Sequence, residues 1–511
     1  MRAWALVAAA SAALFGGGCL GANDPERAQL RPPVVVLVLD EFPADVLLRP
    51  DGRIDAARFP NFAALARIST WFPNGSTVHD STFKAVPSML DARLPRRGTA
   101  ADVRSHQPSV YHLMDQLGYQ VVKVESGTAI CPPRICPGTR TRRPGVLARL
   151  AGGGRPARLH RWIGAIRARP RPTFYFQHAL LPHEPWIYLP SGRRSRPTGE
   201  DPIGGLNRWI GFHDARLTEH NHLRHLLQVG YVDHELGRLL RRLRRTGLLR
   251  RSLLAVVADH GYSFDVGVLS RRRVRETTIE EVAPVPFFVK APGQMQGEID
   301  ESLVRTVDLV PTIADLLGMR VYWSHAGHSA FSEVTREREE LRVPTRSFDR
   351  VIRVGREDLE RRRRAVRVRR ARTYGTGTES ELLFGDPWAM AYRIGPHLEL
   401  LDRRVAELRV ARPNEVRARV ANAGLAAHVR LDSAVLPTRV TGTLRGGSSG
   451  QLRELAVAVD GRIRAVGRSF RLRRRPGEFF SMYVPERALH RGPNTIAVYE
   501  VKDGRTLVRL N

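Results

Sequence analysis

The chain has 511 residues, a formal charge of +31 at neutral pH and 42% hydrophobic residues. This length exceeds the usual size of one hydrophobic core, so we expect two or more domains. Arginine supplies nearly all of the charge, but no nucleic-acid-binding module accompanies it, which argues against nucleic acid as the partner. Two explanations stay open, namely the arginine preference of a GC-rich genome and attraction to an anionic envelope surface.

Residues 1–19 are typical of an export signal. Arg2 precedes an apolar run from Trp4 to Phe15 that is too short to span a bilayer comfortably, and small residues follow it. Cys19 is a candidate for lipidation, with a plain cleaved signal peptide or an uncleaved anchor as alternatives. Residues 20–32 are polar and form a short tether. We therefore expect an exported, extracytoplasmic protein that is anchored to the membrane or held in the cell envelope.

Two further cysteines, Cys131 and Cys136, lie close together in the sequence. In an exported chain such a pair predicts a disulfide that closes a small loop. A metal site is the weaker interpretation, because no second pair of cysteines or histidines has a matching spacing.

Residues 33–335 alternate between short apolar runs and amphipathic helices. The runs lack polar alternation, as strands covered on both faces do. The predicted strands are 33–39, 119–124, 173–177, 252–258 and 285–290, and the predicted helices are 60–68, 108–117, 158–168, 221–250 and one within 301–318. This order predicts a doubly wound, mostly parallel α/β sheet of the alkaline-phosphatase type.

The composition changes after about residue 335. Residues 336–374 are rich in arginine and glutamate and predict a charged helical linker, with the run from Arg361 to Arg364 on a solvated helix face. Residues 375–511 alternate between apolar and polar positions and contain Asp-Gly and Gly-Gly turns, which predicts a β-sandwich domain. We expect this domain to serve in packing or ligand docking.

Acidic and imidazole side chains follow two of the predicted strands. Asp40 and Glu41 follow the first strand, and Asp259 and His260 follow the fourth, just before Gly261. Because ligands bind beyond the carboxyl ends of strands in open α/β sheets, all four are candidate metal ligands. A helix N-cap at Asp40 and a capped turn at Asp259 are the alternatives.

A histidine pair and a hydroxyl complete the set of candidate residues. His183 is expected to bind a second metal, hold substrate or donate a proton, whereas His178 is better explained as a polar loop residue. Thr82 precedes a predicted helix and becomes a nucleophile if a base or metal activates it. Ser81 and Ser88 are alternative nucleophiles, and a simple N-cap is the structural alternative.

Together these segments resemble the sulfatase-like branch of the alkaline phosphatase superfamily across residues 33–330. Residues 81–90 resemble the nucleophile turn of phosphoethanolamine transferases and lipoteichoic-acid synthases, and this resemblance places the metal-bound nucleophile on Thr82. The resemblance also rests on the acids at Asp40 and Glu41, the His-x-Pro-type loop at 181–185, the Asp-His-Gly motif at 259–261 and the closing segment at 306–312.

The chain departs from that family at two places. Ala85 and Met89 stand where true sulfatases carry the Cys and Arg of their formylglycine signature, so formylglycine catalysis is not expected. Residues 262–285 lack the further histidine that usually binds a second metal, and Arg271, Arg272, Arg273 and Arg275 occupy this stretch instead. We expect an arginine there to bind the substrate anion.

The resemblance implies a metal-dependent transferase or hydrolase that acts on phosphate or sulfate esters of cell-envelope components. The ligands would be Asp40, Glu41, Thr82, Asp259 and His260, and this donor set suits Zn²⁺ first, with Mn²⁺ or Ca²⁺ as alternatives.

Two other residues receive catalytic roles in this scheme. His183, together with Lys84 or an arginine of 271–275, would stabilise charge or protonate the leaving group. A sulfuric ester hydrolase and a catalytically degenerate protein that binds an envelope glycopolymer are the alternative functions.

Overall fold

The computed structural model describes residues 31–137, 154–199, 201–203, 214–268, 271–421, 423–446, 452–472 and 475–511. The predicted signal at 1–19, with Cys19, and most of the predicted tether lie outside the described residues. Among the described residues, no helix combines the length and the apolar content needed to cross a lipid bilayer.

The strands belong to a main sheet, a two-stranded hairpin and two C-terminal sheets. In chain order they are β1 (Val34–Asp40), β2 (Thr70–Trp71), β3 (Gln120–Val124), β4 (Thr173–Pro182), β5 (Leu253–Ala258), β6 (Phe287–Lys290), β7 (Glu298–Ile299), β8 (Glu340–Pro344), β9 (Val351–Gly355), β10 (Arg409–Ala411), β11 (Arg417–Val420), β12 (Arg439–Arg445), β13 (Glu454–Val459), β14 (Arg462–Arg468), β15 (Phe470–Leu472), β16 (Arg475–Tyr483), β17 (Ile496–Lys502) and β18 (Thr506–Arg509).

Most of the helices lie between strands of the main sheet or follow the hairpin. In chain order they are α1 (Pro60–Ala66), α2 (Thr82–Asp91), α3 (Val110–Gln116), α4 (Arg155–Ala165), α5 (Ala215–Arg245), α6 (Ile279–Val282), α7 (Leu309–Leu316), α8 (Glu333–Arg336), α9 (Arg356–Tyr374), α10 (Gly377–Phe384) and α11 (Ala423–Ala426).

The main sheet has the strand order β3-β4-β1-β5-β6-β2-β7. Strands β3, β4, β1 and β5 run parallel, and β6 is antiparallel to both β5 and β2. The five strands predicted from apolar runs all belong to this sheet. The helices that flank the sheet overlap the predicted helices. The prediction of a mostly parallel α/β sheet is confirmed.

Both faces of the main sheet are covered, which explains why its strands show no polar alternation. On β1, Val35 and Leu37 face a core that includes Phe62 of α1, while Val34 and Val36 face a separate core on the other side. Helices α1, α4 and α5 pack on the first face, and α2, α3 and α7 pack on the second. The sheet is therefore doubly wound.

The C-terminal region contains two sheets with the orders β10-β18-β17-β13-β14 and β11-β12-β16-β15. Side chains from both sheets share one apolar core, for example Val457 and Val498 from the first and Val440 and Phe480 from the second. This arrangement confirms the predicted β-rich C-terminal region. Its strands begin only at Arg409, however, because the residues just after 375 form α10 and 3₁₀ turns instead.

The disulfide predicted between Cys131 and Cys136 is present, with Cα atoms 6.1 Å apart. It closes a small loop beside the second core of the main sheet, where both cysteines are buried.

The arginine-rich stretch differs from the prediction. It begins with the β8–β9 hairpin, and only residues 356–374 are helical. Arg363 and Arg367 of α9 are 1% and 2% exposed. The prediction that the run from Arg361 to Arg364 is solvated is therefore wrong for Arg363, although Arg361 and Arg364 are exposed. The guanidinium groups of Arg363 and Arg367 bind the buried carboxylate of Asp45, each at 2.9 Å. The helix is thus docked beside the main sheet by these ion pairs as well as by apolar contacts of Leu359 and Tyr374.

The Asp45 ion pair makes a prediction about stability. Burial alone would raise the pKa of Asp45, but Arg363 and Arg367 outweigh burial and lower it. Asp45→Asn removes the buried counter-charge of both guanidinium groups and leaves them only the half-exposed Glu360, which costs about 3–5 kcal/mol. In thermal denaturation at neutral pH we expect the midpoint to fall by roughly 3–5 °C.

The control is Asp432→Asn, which removes a carboxylate from an exposed pair with Arg430 and should leave the midpoint unchanged. A carboxyl group whose pKa is lower in the folded than in the unfolded state stabilises the fold at pH values above its unfolded-state pKa. This stabilisation is lost as the pH falls through the folded-state pKa. The difference between wild type and Asp45→Asn should therefore shrink on acidification. Equal midpoints at neutral pH would contradict this description of the α9 contact.

Candidate metal centre and nucleophile

The carboxyl ends of β4, β1 and β5 lie side by side in the main sheet. Leu39 of β1 pairs with Ala258 of β5, so the residues that follow each strand are neighbours. Asp40 and Asp259 therefore emerge at one place, and both are almost completely buried. The strand-end positions that the sequence indicated converge because parallel strands end at the same edge.

The Thr82 hydroxyl reaches this edge from the second face of the sheet. Thr82 is the first residue of α2, and its Oγ1 lies 3.4 Å from Asp40 Oδ1 and 3.3 Å from His260 Nε2. The structure thus brings the predicted nucleophile together with the predicted ligands Asp40, Asp259 and His260. The amino end of α2 begins at this hydroxyl, where its free N–H groups favour negative charge.

Local hydrogen bonds fix the orientation of the Asp-His-Gly motif. His260 Nδ1 lies 2.9 Å from the carbonyl oxygen of Gly261, and donating to it leaves Nε2 as a lone pair directed at Thr82. Asp259 Oδ1 accepts the backbone N–H of His260 at 2.7 Å. Glycine is required at 261, because a Cβ there would lie 2.2 Å from the carbonyl oxygen of Glu281.

His178 belongs to this cluster, and the prediction that it is a loop bystander is wrong. Strand β4 continues to Pro182, so His178 lies within the strand and pairs with Val38 of β1. Its Nε2 is 3.7 Å from Asp40 Oδ2. One ligand atom each from Asp40, His178 and Asp259 lie within 4.8 Å of one another, as a metal site requires.

A second group forms around Glu41, which adopts a left-handed backbone conformation with φ of 61°. Its Oε1 lies 3.2 Å from His183 Nε2, and ligand atoms of Asp40, Glu41 and His183 lie within 4.8 Å of one another. Arg272 Nε is 3.1 Å from the same Glu41 oxygen. A fixed guanidinium charge therefore occupies the side of the cluster where the family's second metal would be expected.

His183 is held rigidly by its own loop. Its Nδ1 lies 2.7 Å from the carbonyl oxygen of Glu184, and its backbone carbonyl accepts hydrogen bonds from Gln228 at 2.9 Å and from Arg155. Burial, and then the charge of Arg272, lower the pKa of His183 well below its ordinary value. The neutral ring directs a lone pair at Glu41 and Arg272, which suits a ligand or an acceptor better than a proton donor.

The carboxylates make the centre electrostatically unfavourable without added positive charge. Burial, reinforced by Asp259 and Glu41, raises the pKa of Asp40 well above its ordinary value. Burial also raises the pKa of Asp259 to about 6, although His178 and a hydrogen bond from Thr82 act in the opposite direction. Arg272 balances Glu41, whereas Asp259 Oδ2 is buried and accepts no hydrogen bond from the described residues. Such buried oxygens fit a cation.

The residues present therefore fit a divalent cation. Carboxylate and hydroxyl oxygens combined with the neutral imidazoles of His178 and His260 form a donor set that suits Zn²⁺ or Mn²⁺. Burial also lowers the pKa of His260, which keeps its ring neutral as ligation requires.

Lys84 is engaged elsewhere. Its Nζ donates to the carbonyl oxygen of Arg96 at 2.5 Å and to the carbonyl and hydroxyl oxygens of Thr99 at 2.7 and 2.8 Å. These bonds hold the loop that follows α2. The catalytic role of Lys84 stays a prediction.

Three residues beside the cluster were missed from the sequence. His79 and Asp80 are buried just before Thr82. Arg346, from the loop between β8 and β9, donates to the Asp80 carbonyl at 3.3 Å and lies 3.7 Å from its carboxylate. Burial lowers the pKa of His79 to about 3. The sequence signal for His79 and Asp80 was their closeness to Thr82, whereas nothing local indicates Arg346.

Part of the chain is similar to a known protein family. Residues 157–319 match a family model described as Sulfatase. The matched segment contains His178, His183, Asp259, His260 and Arg272, while Asp40, Glu41 and Thr82 precede it. The matched segment is thus similar to sulfatases, a family of the alkaline phosphatase superfamily, which confirms the resemblance that the motifs indicated.

Individual relatives are distant. A choline-sulfatase of Rhizobium meliloti is 23% identical over 359 residues, which is 57% of this chain and 68% of that protein. Arylsulfatase K of Danio rerio is 30% identical over 105 residues, 20% of either protein. An endo-4-O-sulfatase of Bacteroides thetaiotaomicron is 29% identical over 90 residues, 17% of either protein. The chain thus spans about a fifth of the length of these last two relatives.

A solved structure is similar as well. The phosphonate monoester hydrolase of Agrobacterium radiobacter matches with a TM-score of 0.43 and 16% identity, covering 61% of this chain and 80% of that one.

The donor set makes a prediction about metal binding. After dialysis against a chelator, the protein should bind one equivalent of Zn²⁺ or Mn²⁺ in calorimetric titration, and its thermal midpoint should rise with metal concentration. Asp259→Asn removes a charged oxygen donor, and the affinity should fall by at least about tenfold, a loss typical even of groups that only orient ligands.

The matched control is Asp91→Asn, a buried carboxylate at the far end of α2 that accepts from His106. It should bind metal like wild type. Equal affinities in wild type and Asp259→Asn would show that the cation binds elsewhere.

Proposed function

We propose that this chain is a metal-dependent transferase or hydrolase of phosphate esters in which Thr82 is the nucleophile. One observation carries the proposal. The Thr82 hydroxyl lies within 3.5 Å of both a carboxylate oxygen of Asp40 and the Nε2 lone pair of His260, inside a cluster of buried carboxylates and imidazoles. A hydroxyl needs such neighbours before it becomes a nucleophile.

The usual sulfatase nucleophile has no counterpart in this site. Ala85 and Met89, which stand at the Cys and Arg positions of the formylglycine signature, are fully buried in α2. Ser88 is also buried, nearly two helical turns beyond Thr82. These positions leave Thr82 as the hydroxyl that contacts the carboxylate cluster.

The reaction would proceed in two displacements. When bound, the cation would supply positive charge that lowers the pKa of the attacking hydroxyl. Thr82 Oγ1 attacks phosphorus and passes its proton to the carboxylate of Asp40, while the bond between phosphorus and the ester oxygen breaks. The leaving oxygen takes a proton from solvent, or from His183 once that ring has gained one. Water or an acceptor hydroxyl then attacks the phosphothreonine and restores Thr82.

The substrate anion would be bound by guanidinium groups. Arg272 has a side chain that is 39% exposed and lies beside both Glu41 and His183. It can therefore contact the cluster and an incoming anion at once, and its planar fork matches a phosphate or sulfate group. Arg272 would take the place of a second cation, so the site would need only one.

We further propose that the substrates are anionic components of the cell envelope. The export signal predicted at 1–19 and the strong positive charge of the chain support this location. Arg346, which contacts Asp80 two residues before Thr82, adds positive charge near the nucleophile.

Sulfate-ester hydrolysis is the second candidate. It is favoured by the family match over 157–319 and by the choline-sulfatase similarity. The ratio of kcat/KM for an aryl phosphate to kcat/KM for the matched aryl sulfate distinguishes a phosphate-ester enzyme from a sulfatase. If Thr82 is the nucleophile, we expect the higher value on the phosphate ester.

Thr82→Ala tests the nucleophile. With metal bound and a panel of phosphate and sulfate esters, kcat should fall by at least about a thousandfold, because the covalent route is lost. Intact-protein mass spectrometry of rapidly quenched wild type should show one added phosphoryl group that is missing from the variant.

Thr82→Ser keeps a hydroxyl and should retain both adduct and turnover, and Ser81→Ala should behave like wild type. Metal affinity of Thr82→Ala is measured in parallel, so that lost binding is distinguished from lost chemistry. Turnover in Thr82→Ala at the wild-type rate would refute the nucleophile assignment. Metal-independent polymer binding without turnover in wild type would select the degenerate binding protein.

Arg272→Gln tests the anion-binding residue. The kcat/KM for a phosphate ester should fall by about 10- to 100-fold, and inhibition by inorganic phosphate should weaken in parallel. The matched control is Arg275→Gln, an exposed arginine three residues away, which should change neither value. If both variants lose activity equally, general surface charge rather than Arg272 attracts the anion.

A further inference from the structure

An extended arginine surface lies at the amino-terminal ends of the parallel strands of the main sheet, opposite the carboxyl ends that hold the metal centre. We call it the basal arginine face. Its central residues are Arg238, Arg241, Arg242, Arg245 and Arg250, all exposed or half-buried.

Hydrogen bonds hold the parts of this face together. Arg242 of α5 donates to the carbonyl oxygens of Ile166 and Gly164 at 2.7 and 2.8 Å, which ties the end of α5 to the end of α4. The loop after α4 meets β3, since the Gln120 N–H donates to the carbonyl oxygen of Pro172 at 2.9 Å. Arg238, Arg241, Arg242 and Arg245 line a shared concave surface with His160 and His234.

Acidic groups do not compensate this charge locally. Residues 154–172 and 236–252 contain no aspartate or glutamate. The two acids in the preceding turn of α5 are buried, with Asp233 accepting backbone N–H groups of α1 and Glu235 lying 2.7 Å from His160. Glu235 also lies 3.5 Å from Arg238, but the face still presents a high density of guanidinium groups to solvent.

The chain that follows the predicted export signal enters the fold at the same edge. The carbonyl oxygen of Pro32 accepts from the Tyr119 hydroxyl at 2.8 Å, and that of Pro33 accepts from the Leu253 N–H at 2.9 Å. The chain that precedes β1, including residues 1–19 with their apolar run, is thus joined to the edge that carries the basal arginine face.

The metal centre lies at the other end of the molecule. His225 of α5 lies 3.1 Å, through its Nε2, from the backbone carbonyl of Glu41. The sixteen residues that separate His225 from Arg241 extend a helix by about 24 Å. Helix α5 thus extends from the metal centre to the basal arginine face. A membrane bound to this face would lie on the opposite side of the main domain from the metal centre.

We propose that the basal arginine face docks on an anionic phospholipid surface beside the N-terminal segment. A single short anchor gives marginal membrane binding, which a polybasic surface completes. Each arginine near such a surface contributes about fivefold in partitioning at moderate salt. The docked protein presents its metal centre away from the bilayer, toward substrates that project into the envelope. This proposal does not depend on which ester the centre cleaves.

Vesicle flotation with the full chain tests the proposal. The readout is the ratio of partition coefficients on vesicles that contain phosphatidylglycerol and on pure phosphatidylcholine vesicles, because the N-terminal segment contributes equally to both. The face variant is Arg241→Gln with Arg245→Gln and Arg250→Gln. The matched control, Arg409→Gln with Arg412→Gln and Arg419→Gln, removes the same charge from exposed positions in the C-terminal region.

Wild type should prefer the anionic vesicles, and high salt should abolish the preference. In the face variant the ratio of partition coefficients should fall by at least about tenfold, and in the control variant it should fall by less than about twofold. Equal losses in both variants, or none in the face variant, would overturn the proposal. So would a face variant that loses binding to soluble polyphosphate but keeps its vesicle preference. Turnover of a soluble ester should be unchanged in both, which separates this test from that of Thr82.

Discussion

Three buried carboxylates at one edge of a sheet are the constraint on which the rest of the structure depends. Asp40, Glu41 and Asp259 are at most 1% exposed. Charges of the same sign in so dry a place repel and lose hydration, and each needs a compensating positive group. A bound cation and the guanidinium of Arg272 divide this task between the two sides of the cluster. The neutral histidines then act as ligands, and Thr82 is the hydroxyl left between them.

The chain uses arginine in the same way elsewhere. Asp45 is buried next to the main sheet and is neutralised by Arg363 and Arg367 of α9. Arg439 of the C-terminal region pairs with Asp201 of the main domain at 2.7 Å. Arginine therefore connects the later segments of the chain to the main domain. Only a part of the large positive charge is left on the surface, and the basal arginine face concentrates some of it.

Much of the main sheet could be predicted because its strands are unbroken apolar runs, and Asp40 and Asp259 could be placed because parallel strands end at one edge. His178 could not, since the apolar pattern weakens at Gln177 while the strand continues to Pro182. The contacts of Arg346 and Arg363 join residues that are more than 250 positions apart in the sequence. A run of arginines has the same local pattern whether it is solvated or paired with a distant carboxylate, so only the tertiary structure distinguishes the two.

The central claim is that the carboxylate cluster binds one divalent cation beside Thr82. The most direct test is anomalous X-ray diffraction from crystals of the metal-loaded protein, recorded above and below the zinc or manganese edge. The account predicts one strong anomalous peak within bonding distance of Asp40, Asp259, His260 and Thr82 Oγ1, and none between Glu41 and Arg272. A peak elsewhere with none at this cluster, or two peaks of equal strength flanking Asp40, would contradict it.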